Sequence, residues 1–77
     1  MDIFNLELLY MIQSVLFDKK LFSRKQAIDK LLNRGFKFNK IHETENYYRF
    51  RQYDPKEGER FRIVGSGPGI KYVYSIK

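Results

Sequence analysis

The chain reads as an α+β domain in which two N-terminal helices pack on one face of a three- to four-stranded antiparallel sheet, in the order ααββββ. Three observations predict this. Apolar residues recur at helical spacing up to Phe17, and again between Ser23 and Arg34. From Phe36 onward the period drops to two, the spacing at which side chains alternate across a strand. Turn-forming clusters at 54–58 and 65–69 then divide the second half into hairpins. With 77 residues, 43% of them apolar, residues 1–77 make one domain with a folded core.

Asp2 is placed to cap a first helix over residues 3–17. Phe4, Leu8, Met11 and Val15 stack along it, and Leu9, Ile12 and Leu16 widen their face. A second stripe, Ile3, Leu6, Tyr10 and Phe17, needs a partner of its own. It packs on the second helix or forms a seam with another protein or a second copy, a homodimer through the first helix. Ser23 opens the second helix, and Gln26 three residues on completes a capping box. Ala27, Ile28, Leu31 and Leu32 form its apolar side, and Gly35 suits the left-handed position that ends it.

The strands follow in order. Residues 36–41 are the first, 42–46 a turn, 47–53 the second, 60–64 the third and 70–76 the fourth, joined as a meander. Period two assigns the covered face to Phe36, Phe38, Tyr48, Phe50, Phe61, Ile63, Ile70, Tyr72 and Tyr74. The wet face then carries Lys37, Arg49, Arg51, Arg60, Arg62 and Lys71, edged by Tyr47 and Tyr53.

Charge sharpens this picture. The net charge is +6, and residues 23–77 hold thirteen Lys or Arg against six carboxylates. The basic character therefore belongs to the sheet half. Guanidinium forks match phosphate geometry, and tyrosine rings stack on unpaired bases. The eight basic and tyrosine positions just named are accordingly the expected binding residues for nucleic acid or a nucleoprotein. The plainer reading is a solubilising surface whose arginines pair with Glu43, Glu45, Glu57 and Glu59.

Other chemistry is thinly represented. The chain has no cysteine, so neither a disulfide nor a thiolate metal site is expected. His42 is the single histidine and lacks a recognisable nucleophile partner. Gly65-Ser66-Gly67-Pro68-Gly69 lacks phosphate-loop spacing and reads as a hairpin loop. A winged-helix reading of 23–34 lacks the usual third helix. No catalysis, cofactor or metal is expected. Residues 3–17 are too short and too polar to span a bilayer, and the first residues lack a basic leader, so a cytoplasmic protein with no membrane partner is expected.

The stretch 35–55, GFKFNKIHETENYYRFRQYDP, resembles a segment of small uncharacterised proteins from bacteriophages and mobile elements of low-GC bacteria. Lys40, Ile41, Thr44, Asn46, Tyr47, Arg49, Phe50, Arg51 and Gln52 carry the likeness, which covers under a third of the chain. It implies a phage-type origin and a host-cytoplasm location, and no activity. The Gly-Phe turn and its strands are also similar to HicA-like toxins and double-stranded-RNA-binding domains, but the Gly-Ser-His hairpin of the toxins is absent. Two functions follow as expectations. One is a basic nucleic-acid-binding protein; the alternative is a phage-type anti-defence or host-takeover inhibitor that occupies the nucleic-acid site of a host protein.

Overall fold

The computed structural model describes residues 12–76. Its elements are β1 (Ile12–Asp18), α1 (Arg24–Asn33), β2 (Ile41–Glu43), β3 (Tyr47–Arg51), β4 (Arg60–Gly65) and β5 (Ile70–Ile76). All five strands form one antiparallel sheet in the order β2-β3-β1-β5-β4. Among the described residues this is a mostly-β fold with one helix, not two helices on a meander. No helix among them is long and apolar enough to cross a membrane.

The largest correction concerns the first expected helix. Ile12–Asp18 is the central strand of the sheet, and the remainder of the expected helix lies outside the described residues. A strand with neighbours on both edges and side chains buried on both faces does not alternate cleanly. A register shift between Ile12 and Ser14 adds a further irregularity. The extra residue, Gln13, leaves Ile12 and Val15 on the same side of the sheet at a spacing of three, which imitates a helix. The seam proposed for Ile3, Leu6, Tyr10 and Phe17 fails at Phe17, which is 1% exposed inside the core. Ile3, Leu6 and Tyr10 lie outside the described residues.

The second expected helix forms as anticipated at both ends. The Ser23 side chain accepts from the Gln26 N–H at 3.2 Å, and the Gln26 side chain accepts from the Ser23 N–H at 2.9 Å. Its C-terminus closes with Gly35 at φ 78°, Phe36 N–H donating to Leu31 C=O and Gly35 N–H to Leu32 C=O. That is a Schellman arrangement, and Leu31 and Phe36 meet in the core beneath it. Ala27 and Leu31 are buried, whereas Leu32, expected inside, is 53% exposed.

The near face of the sheet, under α1, holds the core. Val15, Phe17, Phe50 and Ile70 are buried there with Ile12, Ala27, Leu31 and Phe36. Phe17 meets Phe22 and Phe50 edge-on, at centroid distances of 5.2 and 5.8 Å. Tyr48, Tyr72 and Tyr74 pack around this cluster, as the period-two reading required. The Gly65–Gly69 turn is tied to the same layer, since Gly69 C=O accepts from Asp18 N–H at 2.8 Å. Gly69 has φ 76°, and a Cβ there would stand 2.7 Å from Leu21 Cδ1.

Three other expectations are corrected. The stretch 36–41 is not a strand; pairing begins at Ile41, and Phe38 is exposed. The expected turn 42–46 contains the end of β2, with His42 opposite Arg49 and Glu43 opposite Tyr48. Period two sets Phe61 and Ile63 under the helices, yet register puts them opposite Ser75 and Val73, on the far face. Ile63 is 60% exposed.

Candidate anion-binding face

Paired residues in an antiparallel ladder project to the same side, so the register defines the far face strand by strand. From β2 to β4 it carries His42, then Tyr47, Arg49 and Arg51, then Ser14, Leu16 and the carboxylate Asp18, then Lys71, Val73 and Ser75, then Phe61 and Ile63. Arg49 and Arg51 thus share a side opposite Tyr48 and Phe50, as the alternation of β3 predicted. Lys71 joins them across β1.

Arg60 and Arg62 do not. They lie opposite Ile76 and Tyr74, and Tyr74 packs against the core of the near face. The expected front of four arginines is therefore split between the two sides of the sheet. Matching Arg-x-Arg patterns on two strands carry no information about their relative phase. A one-residue difference in register flips a whole strand. Lys37 is also apart from the group, in the segment after α1, where its N–H and C=O are clamped by the Gln52 side chain at 2.8 and 2.9 Å.

Arg49 is held by neutral partners. Its Nε donates to Ser14 Oγ and its Nη2 to Gln13 Oε1, each at 3.1 Å, while Ser14 Oγ donates to the same Gln13 oxygen at 2.6 Å. Gln13 and Ser14 are fully buried, and Gln13 Nε2 donates to Tyr53 C=O at 2.8 Å. These bonds aim the guanidinium without neutralising it. Burial, and then the like charge of Arg51, push the Arg49 pKa down. Among the described residues the ion pairs are Lys19–Glu43 and Lys40–Asp54, so neither Arg49 nor Arg51 has a carboxylate partner there. The alternation of β3 points to the two arginines, whereas the helical spacing of residues 3–17 hides the part played by Gln13 and Ser14. A polar pair inside an otherwise apolar run was the available signal.

The tyrosines are engaged rather than free. Tyr47 Oη accepts from Lys71 Nζ at 2.9 Å, a hydrogen bond that raises the Lys71 pKa, and the ammonium stands 5.1 Å from the ring centroid. Tyr53 Oη donates to Glu59 Oε2 at 2.6 Å, and Tyr53 has a raised pKa from burial and from that carboxylate. Glu59 also accepts from the Lys56 N–H at 3.0 Å, and this bond and the Tyr53 hydroxyl lower its pKa. Both hydroxyls are therefore engaged, and both residues are half-buried. Beside Arg51 a shallow groove is lined by Lys40, Ile41, His42 and Asp54. No group of three His, Cys, Asp or Glu side chains among the described residues is arranged to hold a metal ion.

No family model, no curated protein and no solved structure matches this chain.

Proposed function

We propose that the far face binds a phosphate-bearing polyanion, single-stranded nucleic acid in the first place, through Arg49 and Arg51 with Lys71 beside them. The observation that supports it is the Arg49–Arg51 pair itself. Two guanidinium groups lie on one strand face, one of them oriented by buried neutral acceptors, with no carboxylate partner among the described residues. Placing like charges together opposes folding, and a bound phosphate relieves that repulsion. Tyr47 and Tyr53 border the contact. Arg60, Arg62 and Lys37 contribute only to the general positive field, with the net charge of +6. The protein acts as a binding module, without catalysis, and a phage-type setting remains the reading of the 35–55 resemblance.

Fluorescence anisotropy of a labelled single-stranded oligonucleotide across a salt series tests this. Affinity should fall steeply as salt rises. The double substitution Arg49→Gln and Arg51→Gln should weaken binding at least about tenfold, the factor that corresponds to about 1.4 kcal/mol. Arg60→Gln with Arg62→Gln should weaken it less. Equal losses from the two double variants would move the site off this face. Failure of both DNA and RNA to bind at low salt would reject the nucleic-acid reading and leave the inhibitor of a host protein as its successor.

A further inference from the structure

The two edges of the sheet are built differently. β2 is three residues long, and its last residue, Glu43, is bound by Lys19 at 2.6 Å. β4 is six residues long, and Ile63 and Val64 are 60% and 39% exposed along it. Short edges, lysines, prolines and bulges protect a sheet from added strands. The β4 run, Arg-Phe-Arg-Ile-Val-Gly, has no proline or lysine, and its register with β5 is unbroken.

The direction of its free backbone groups follows from one hydrogen bond. Ser66 N–H donates to Ile70 C=O at 2.8 Å, just beyond the Gly65–Lys71 pair. Hydrogen-bonded and non-bonded pairs alternate along an antiparallel ladder. Val64, Arg62 and Arg60 therefore turn their N–H and C=O groups toward β5. Phe61, Ile63 and Gly65 turn theirs outward. We infer that this outer edge of β4 accepts an extended segment of a partner protein, with carboxylates at alternate positions and apolar residues between them.

The side chains choose that chemistry. Arg60 and Arg62 project to the near side of the edge, exposed and without a carboxylate partner among the described residues. The neighbouring Glu59 is held by Tyr53 and the Lys56 N–H instead. Phe61 and Ile63 project to the far side. An added strand meets arginines on one side and apolar surface on the other, so alternating acidic and apolar residues complement both. A second copy fits less well. Centred on Ile63, antiparallel self-pairing sets Arg62 against Val64, leaves the arginines without counter-charge and joins two chains of net charge +6.

The test uses the full chain and a blocked peptide of about eight residues, a common strand length, alternating glutamate and valine. Titration followed by amide NMR should shift Phe61, Ile63 and Gly65 and slow their hydrogen exchange. A matching lysine–valine peptide should bind at least about tenfold more weakly. Ile63→Pro removes an outward N–H and leaves the β5 ladder intact, so it should abolish binding. Arg60→Glu with Arg62→Glu should reverse the peptide preference, which keeps the inference testable if the proline variant unfolds. Absence of binding would overturn it, as would equal binding of both peptides or shifts centred on Arg49 and Arg51. A doubled mass for the free protein, with the same three amides already protected, would assign the edge to a second copy and overturn it as well.

Discussion

The near and far faces of the sheet share the same strands and solve different problems. On the near face, Val15, Phe17, Phe50 and Ile70 are closed over by Ala27, Leu31 and Phe36, and none of the buried residues among those described is charged. On the far face, Gln13 and Ser14 are just as deeply buried, yet they serve to hold a guanidinium. One layer gains stability from removing apolar surface from water; the other fixes a cation in place at little gain in stability. The contrast teaches that burial alone does not distinguish core from site in a domain this small. The identity of the buried group and of its partners does.

The largest effect that separates the faces should come from Phe50→Ala. Phe50 is fully buried and stacks edge-on with Phe17, so truncation should cost about 3–5 kcal/mol in urea unfolding. A cost below about 1 kcal/mol would show that the near face is not the core. Arg49→Gln should behave in the opposite manner. Burial and Arg51 already disfavour its charge, so stability should stay within about 1 kcal/mol of the parent or rise while anion affinity falls. A large loss of stability would make Arg49 a structural strut and blur the comparison.

The smallest effect concerns two carboxylates, the exposed Glu43 on the near side of β2 and the half-buried Glu59 just before β4. Glu43 is lowered below its ordinary 4.5, first through its hydrogen bond with Lys19, and Glu59 is lowered by the Lys56 N–H and Tyr53. A depressed carboxylate contributes stability that is present above the unfolded value of 4.5 and is lost as pH falls through the folded value. Urea midpoints should therefore decline as the pH drops below 4.5, and Glu43→Gln with Glu59→Gln should flatten that decline. An unchanged slope in the double variant would place the acid sensitivity elsewhere.

Local signals in the sequence were read correctly where local chemistry decides. Ser23 and Gln26 do form the capping box, Gly35 ends the helix at positive φ, and Tyr48 and Phe50 do oppose Arg49 and Arg51. The failures arise where long-range pairing decides. Val15 and Ile12 share a side because Gln13 is an extra residue, a fact held in the pairing with β5 and invisible in residues 12–18 alone. Phe61 and Ile63 alternate as a strand should, yet their phase relative to β3 depends on registers passed through β5 and β1. So half of the arginine group was legible as a unit, and the other half was assigned to the wrong side.

The position of β1 also shapes how the molecule is made. It precedes both of its neighbours in synthesis, yet its partners begin at Tyr47 and Ile70. Until Ile70–Ile76 has left the ribosome, Val15 and Phe17 belong to a strand with an open side. Sheet completion is consequently dominated by contacts between residues far apart in the chain, the kind of pairing that slows folding.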